Sequence, residues 1–234
     1  MVKKALWSLL LFVAPDLYEK RKSRNLRIKF PEAFDTTESI FVHIPKAAGT
    51  SVAMALYGMQ VGHWTWRQWR ELNPVKFRKY FKFAIMRDPV DRFVSAFYYL
   101  RGGGMNASDK QFGDSILMAY PNANAFAKAL VDYELQRKVL AWKHFRRQAD
   151  YVADERGKPQ TDAILLFENL DAEFASVAGR INPGVQSLPC LNKTAEKPDV
   201  GLDKDALDVL ECLYRTDFTL WHEHATGRRS FTAV

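Results

Sequence analysis

A short run of polar residues follows an apolar segment early in the chain and could bind an anion. Residues 41–51 read FVHIPKAAGTS, so an apolar strand runs into a turn and then into a helix. At such a junction several backbone N–H groups converge, and the positive end of the helix dipole faces the same place. Lys46 adds a full positive charge. The pattern predicts a site for a phosphate-type ligand. Its predicted binding residues are Lys46, Ala47, Ala48, Gly49, Thr50 and Ser51.

The order of these residues differs from that of the Walker A loop, which binds ATP with magnesium. Walker A reads G-x-x-x-x-G-K-[ST], with the lysine directly before the hydroxyl that holds the metal. Here Lys46 comes three residues before Gly49, and Thr50 and Ser51 follow that glycine directly. We therefore predict a phosphate-type ligand without a metal ion. A P-loop-type kinase of a small molecule is an alternative that this order argues against.

A second group of candidate residues lies at 87–95, in the sequence RDPVDRFVS. Asp88 is a good N-cap and Pro89 suits the first position of a helix, so a helix begins here whatever the function. Arg87 precedes the cap, where a guanidinium can bind a phosphate through two hydrogen bonds. Ser95 lies two turns along the helix and could donate to the same phosphate. In the alternative, the arginines of this motif only pair with its aspartates at the surface.

The two motifs need a framework that brings them together, and the chain alternates strands with helices. The second of three predicted strands reads FAIM, without polar residues, which is typical of a strand buried on both faces of a parallel sheet. Ligands bind at the carboxyl ends of such strands, where both motifs lie. We predict an α/β, P-loop-like, three-layer fold with a central parallel sheet flanked by helices. Strands are predicted at 39–44, 83–86 and 163–167, and helices at 49–57, 64–72, 74–80, 124–148, 171–180 and 204–214, besides the one that begins at Pro89.

Length and composition fit one globular domain, which we place at residues 31–234. The chain has 234 residues, of which 47% are hydrophobic and 26% charged, enough to bury a sizeable core. The net charge of +7 favours anionic partners, but it does not select nucleic acid over an acidic sugar or a nucleotide. The two cysteines, Cys190 and Cys212, lack metal-site spacing, and we expect two unpaired thiols.

Residues 1–30 are predicted to form a separate apolar and basic helical segment. The run ALWSLLLFVA at 5–14 follows two lysines, as in the outline of a signal peptide, but no cleavage site is convincing. This run is also shorter than the roughly 20 residues that span a bilayer. We expect residues 5–14 to form an apolar helix that packs on the domain or contacts a membrane surface.

Together, the two motifs resemble those of the sulfotransferases, especially the carbohydrate branch with the heparan and chondroitin enzymes and their bacterial relatives. In that family a H-x-P-K-[TAC]-[AG]-G-T-S loop holds the 5′-phosphosulfate of 3′-phosphoadenosine 5′-phosphosulfate (PAPS). An R-[DN]-P-x-x-R-x-x-S motif holds its 3′-phosphate. Residues 43–51 match the first motif and residues 87–95 the second. The sequence LPCLNKT at 188–194 is similar to the loop that closes over the nucleotide. The resemblance therefore adds Asn192, Lys193 and Thr194 to the nucleotide-binding residues.

The resemblance implies transfer of a sulfuryl group from PAPS to an acceptor hydroxyl. Catalysis of this reaction is mainly positioning and charge stabilisation, and Lys46 would stabilise the departing phosphate. In several carbohydrate sulfotransferases a histidine shortly after the helix of the phosphosulfate loop is the catalytic base, and His63 matches that position. An imidazole titrates near neutrality and can take a proton from an alcohol. The alternative is that His63 only packs beside Trp64 and Trp66.

The acceptor is less readable than the donor. Tryptophans and arginines at 64–70 form an aromatic and basic cluster that would suit an acidic saccharide, although tryptophans at this spacing more often belong to a core. We predict a saccharide or glycolipid acceptor, bound by Trp64, Arg67 and His144, although a structural role for His144 is an equal alternative. Residues 102–124 are expected to form a loop that gates this acceptor site.

The family members of the Golgi carry a longer membrane anchor and lumenal disulfides, and neither is evident here. The sequence thus favours a bacterial-type cytoplasmic enzyme, either free or resting on the inner face of the membrane through residues 5–14. We expect no nucleic-acid partner, and the oligomeric state is not readable from the sequence. A non-catalytic protein that binds nucleic acid or another polyanion through charge alone is the alternative from another class.

Overall fold

The computed structural model describes residues 30–185, Leu188 and 201–227. Its strands are β1 (Ser39–Val42), β2 (Phe81–Met86) and β3 (Ala163–Leu166). Short 3-10 turns lie at Leu117–Ala119 and Phe167–Asn169. The helices are α1 (Glu32–Thr37), α2 (Gly49–Tyr57), α3 (Trp66–Leu72), α4 (Pro74–Lys79), α5 (Pro89–Arg101), α6 (Ala107–Ile116), α7 (Ala123–Ala129), α8 (Tyr133–Leu140), α9 (Gln148–Val152), α10 (Leu170–Ile181), α11 (Lys204–Leu213) and α12 (Arg215–Ala225).

The three strands form one parallel sheet with β2 in the centre. Val42 of β1 lies opposite Ala84, and Met86 of β2 lies opposite Leu166 of β3. All residues of β1 and β2 are buried, which explains why residues 83–86 of β2 show no polar alternation. The carboxyl ends of the strands lie at one edge of the sheet, and both candidate motifs begin there. The predicted α/β fold, with a parallel sheet flanked by helices, is confirmed.

Capping residues explain where several helices begin and end. At the start of α3, Thr65 and Gln68 form a reciprocal capping box. The Asp88 carboxylate accepts a hydrogen bond from the N–H of Asp91 and starts α5, as the sequence predicts. Gly58 ends α2 in the left-handed conformation, with φ of 65°, which also follows the prediction.

Buried apolar side chains form two clusters among the described residues. The first surrounds the sheet and contains Trp66 and Trp69, so these two tryptophans belong to the core. The second is built on α5 and includes Phe93, Phe97 and, from α11, Leu210. Helices α10 and α12 both contact β3. The placement of one domain at residues 31–234 stays a prediction.

Two local predictions are wrong. The long helix expected at 124–148 is instead divided into α7, α8 and α9, because the Asp132 carboxylate caps the N–H of Leu135 and starts a new helix. The expected loop at 102–124 contains α6, which begins after Asn106 in the same way. In addition, α12 follows α11 almost directly and was not predicted.

Some predictions fall on residues that the structure does not describe. These are the segment 1–29 with its apolar run at 5–14, Cys190, and the nucleotide-loop residues Asn192, Lys193 and Thr194. Cys212 is described and is an exposed free thiol. Within the described ranges, every helix is too short or too polar to cross a membrane.

Candidate functional site

The loop between β1 and α2 has a strained backbone. Lys46 and Ala48 both adopt left-handed conformations, with φ of 70° and 56°. For residues with a side chain, each such conformation costs on the order of 1–3 kcal/mol. Alternation of right-handed and left-handed residues turns successive N–H groups towards one side and forms a concave anion site. No side chain caps the N-terminus of α2. The N–H of Ser51 donates to the carbonyl oxygen of Ala48 at 3.1 Å, so the loop and the first two residues of the helix carry the N–H groups that can face an anion.

Gly49 is required by the close approach of His43. A Cβ atom at position 49 would lie 2.0 Å from the Cδ2 atom and 2.2 Å from the Nε2 atom of the His43 ring. His43 is buried, and its Nδ1 lies 3.1 Å from the carbonyl oxygen of Val61. Because a carbonyl only accepts, this nitrogen carries the proton and donates. His43 thus holds the loop against the segment that leads to His63.

His63 is held in the protonation state that a general base needs. Its Nδ1 lies 3.2 Å from the carbonyl oxygen of His43, so Nδ1 donates and Nε2 keeps its lone pair. Burial lowers the pKa of His63 to about 4. The charges of Lys143 and Lys46 add to this, while the backbone hydrogen bond opposes it. The imidazole is therefore neutral near pH 7, with Nε2 as its basic nitrogen.

Lys46, His63 and His144, which are distant in sequence, lie in one cluster around Tyr99. The Lys46 Nζ atom lies 3.9 Å from the centroid of the Tyr99 ring, a cation–π contact. The Tyr99 ring is 5.0 Å from the ring of His144, which in turn is 6.1 Å from the ring of His63. Lys46 and His63 are therefore linked through the rings of Tyr99 and His144.

His144 is buried in a charged environment that the sequence did not reveal. Its Nδ1 lies 3.8 Å from an oxygen of the buried Asp109 carboxylate, and the Lys143 Nζ lies 3.2 Å from the same oxygen. Burial strongly lowers the pKa of His144, and the charge of Lys143 adds to the effect, so the ring is neutral. Asp109 also accepts a hydrogen bond from Asn106 at 2.8 Å. In the sequence Asp109 is only an acidic residue in the first turn of a helix.

Arg87 follows the last residue of β2, and one donor of its side chain has no hydrogen-bond partner among the described residues. Its guanidinium lies 4.2 Å from the centroid of the Phe167 ring, and Nη2 is 3.2 Å from the Asp91 carboxylate. The ion pair that the sequence offered as an alternative is thus present. However, the buried Nε atom of Arg87 has no hydrogen-bond partner among the described residues. An unpaired buried donor is costly, so this group calls for an acceptor that the described residues do not supply.

The other two residues of the second motif are buried on α5. Arg92 donates to the carbonyl oxygens of His144 at 3.0 Å and Arg146 at 2.7 Å, and so it fixes the turn that carries His144. This contact differs from the surface ion pair considered for Arg92. Ser95 lies one turn after Asp91 and is 2% exposed. Its contact with a phosphate stays a prediction.

Trp64 and Arg67, which are predicted to bind the acceptor, both contact tryptophans of α3. The Trp64 ring is 5.9 Å from that of Trp69, and its Nε1 lies 2.4 Å from where a Cβ atom of Gly62 would be. The Arg67 guanidinium lies 4.5 Å from the centroid of the Trp66 ring and forms an ion pair with Glu155. Their acceptor role stays a prediction.

The similarity of the chain to known proteins extends over most of its sequence. The model of the sulfotransferase family matches residues 34–222. This range contains the loop after β1, the motif after β2 and all three strands. No curated protein and no solved structure matched the chain. Because the family model covers most of the sequence, the chain belongs to the sulfotransferase family.

Proposed function

We propose that this sulfotransferase takes its sulfuryl group from PAPS and transfers it to an acceptor hydroxyl by in-line displacement. The observation that carries the proposal is the pairing of two anion-binding features at one sheet edge. The first is the strained loop at Lys46 and Ala48, before the uncapped N-terminus of α2. The second is Arg87, with its unpartnered buried Nε. A donor with phosphate groups at two positions suits two such features on neighbouring strands.

The residues of the loop would bind the 5′ end of the donor. Backbone N–H groups and the two hydroxyls from Ala47 to Ser51 hold the 5′-phosphate, at the positive end of the dipole of α2. Lys46 contributes a positive charge where the departing phosphate oxygen gains negative charge, which lowers the barrier most if the cation is already in place. Arg87 and Ser95 hold the 3′-phosphate. The family resemblance assigns Asn192, Lys193 and Thr194 to the loop over the nucleotide.

His63 would act as the general base. Its Nε2 accepts the proton of the acceptor hydroxyl as the acceptor oxygen bonds to sulfur, and the bond between sulfur and the 5′-phosphate oxygen breaks. The products are the sulfate ester, adenosine 3′,5′-bisphosphate and a protonated His63 that returns its proton to water. A pKa of about 4 makes the free imidazole a weak base. The negative charge of a bound donor raises that pKa towards the working range.

On the acceptor side we propose a saccharide or glycolipid, in contact with Trp64, Arg67 and His144. Aromatic faces stack on sugars and guanidinium groups bind carboxylates or sulfates, so this set suits an acidic sugar. We also propose a cytoplasmic enzyme whose residues 31–234 form one catalytic domain. A glycan array with labelled PAPS tests the acceptor class directly, and transfer confined to non-carbohydrate alcohols would overturn this part of the proposal.

The donor is tested by thermal unfolding with adenosine 3′,5′-bisphosphate and no added metal. A ligand at 100 times its Kd stabilises the folded state by about 2.7 kcal/mol, which gives a clear rise in Tm. If the nucleotide leaves Tm unchanged, or raises it only with magnesium, the proposed donor is wrong. Steeply salt-dependent binding of heparin or DNA, with no nucleotide effect, would instead support a polyanion-binding protein.

Two variants separate the proposed roles. His63→Ala should abolish transfer and leave binding of the bisphosphate nearly intact, because His63 acts on the acceptor. Arg87→Ala should mainly weaken binding of the bisphosphate. Equal loss of nucleotide binding in both variants would contradict the assignment.

A further inference from the structure

The backbone of Arg87 is clamped by the side chain of Gln148, at the start of α9. The Arg87 N–H donates to the Gln148 Oε1 at 3.0 Å, and the Gln148 Nε2 donates to the Arg87 carbonyl oxygen at 2.7 Å. One amide therefore satisfies both polar groups of one residue, in the way that a neighbouring strand does in a hydrogen-bonded pair. Gln148 is completely buried.

The hydrogen bonds between Gln148 and Arg87 lie directly after Met86, the last paired residue of β2. The pairing of β2 with β3 ends at Met86 and Leu166, because Phe167 enters a 3-10 turn. Without Gln148 the N–H and carbonyl groups of Arg87 would be buried without the partners that a sheet provides. The side-chain amide thus extends the hydrogen bonding of β2 by one residue beyond the end of the sheet.

Gln148 is in turn anchored by a buried carboxylate of α12. Asp217 accepts hydrogen bonds from the N–H groups of Gln148, at 2.7 Å, and Ala149, at 2.9 Å. It caps α9, whose N-terminus has no cap from its own neighbourhood. Asp217 is completely buried, and desolvation raises its pKa to about 6. Burial of the Asp217 carboxylate costs free energy, which the hydrogen bonds from Gln148 and Ala149 offset. Asp217 therefore favours the one position of Gln148 in which both bonds are made.

The direction of the Arg87 side chain depends on this backbone. A guanidinium binds a phosphate through two parallel hydrogen bonds only when its plane is correctly oriented. The Phe167 ring and the Asp91 carboxylate limit the far end of the side chain. The two peptide groups that flank the Arg87 Cα atom limit the near end of the side chain, and Gln148 holds both peptide groups by hydrogen bonds.

We propose that Gln148, anchored by Asp217, is a positioning residue that aims Arg87 and thereby sets the preference for nucleotides with a 3′-phosphate. This inference rests on the proposed function, in which Arg87 binds that phosphate. Gln148 does not touch the nucleotide itself.

The test compares two nucleotides in one variant. In Gln148→Met the side chain keeps its size and loses both hydrogen bonds. We expect the ratio of Kd for adenosine 5′-monophosphate to Kd for adenosine 3′,5′-bisphosphate, measured by calorimetry, to fall about tenfold. The affinity for the monophosphate, which is held by the loop after β1, should stay within about twofold of wild type.

Gln68→Met is the matched control. Gln68 is also a buried glutamine, and its Oε1 accepts from the N–H of Thr65 at 2.7 Å, in the capping box of α3. This variant should lose stability and keep the wild-type ratio. If Gln148→Met fails to fold, the same ratio of Kd values is measured in Gln148→Glu and Asp217→Asn. Gln148→Glu keeps the acceptor for the Arg87 N–H and loses the donor, whereas Asp217→Asn weakens the anchor, so both should lower the ratio.

The outcomes separate the two proposals. An unchanged ratio in the Gln148 and Asp217 variants, or an equal loss of affinity for both nucleotides, overturns the positioning role and leaves the proposed function standing. A wild-type protein without preference for the bisphosphate overturns both.

Discussion

Replacement of Gly49 by alanine tests the geometry of the phosphate loop. The added methyl group would lie 2.0 Å and 2.2 Å from two atoms of the His43 ring, far inside contact distance. His43 cannot move freely, because it is buried, donates to the carbonyl oxygen of Val61 and stacks on the ring of Phe41, 5.3 Å away. The strain must therefore displace the loop or break these contacts.

The expected magnitude has two parts. Overpacking of a tight site costs about 1–3 kcal/mol, and alanine regains about 1 kcal/mol of helix propensity, so the free energy of unfolding should fall by about 0–2 kcal/mol. Nucleotide binding should suffer more. Loss of two hydrogen bonds from backbone N–H groups to a charged phosphate, at about 1.5–3 kcal/mol each, weakens binding about 100-fold or more.

Urea unfolding and calorimetry with adenosine 3′,5′-bisphosphate measure the two parts. Gly179→Ala is the control, since a Cβ atom there meets no neighbour within 4 Å and should raise stability by roughly 0.5–1 kcal/mol. In a double-mutant cycle, His43→Ala removes the clashing ring, so the cost of Gly49→Ala should shrink in that background. A Gly49→Ala protein with wild-type stability and affinity would refute the argument.

Three further predictions concern single side chains near the sheet edge. The NMR signals of His63 should not titrate between pH 8 and 5, because its pKa is lowered to about 4, and the bound bisphosphate should raise that pKa; titration near 6.5 in the free protein would contradict this. Burial lowers the pKa of His43 to about 3, so the unfolded chain binds a proton below pH 6.5 that the folded one does not. When the pH is lowered from 6 to 4.5, the unfolding free energy of the wild type should therefore fall by about 1.4 kcal/mol per pH unit more than that of His43→Asn. Urea titrations at several pH values measure this difference. Arg87→Lys should weaken binding of the bisphosphate about tenfold and spare the 5′-monophosphate, since an ammonium cannot form the paired hydrogen bonds. If Arg87→Lys binds the bisphosphate as tightly as the wild type does, the proposed role of Arg87 at the 3′-phosphate is wrong.

The elements that the sequence predicted well are those with local causes. The apolar run of β2, the cap at Asp88 and the stop at Gly58 each depend on a few neighbouring residues. The division between α7 and α8 depends on both local and distant causes. The Asp132 cap is local, but helix-forming residues continue on both sides of it, and the packing of Phe126 and Val139 into the cluster built on α5 favours the break.

The same distinction applies to the site. The sequence predicts Lys46 and Arg87 as site residues because each lies beside the cap, glycine or strand end that positions it. The groups around them come from far along the chain: Gln148 is 61 residues from Arg87, and Asp217 is 69 residues from Gln148. No local spacing encodes a contact of that kind, and a lone glutamine or aspartate carries no signal of its own. A motif therefore predicts which atoms can touch a phosphate, whereas the backbone of Arg87 is held by residues of α9 and α12, which lie outside both motifs.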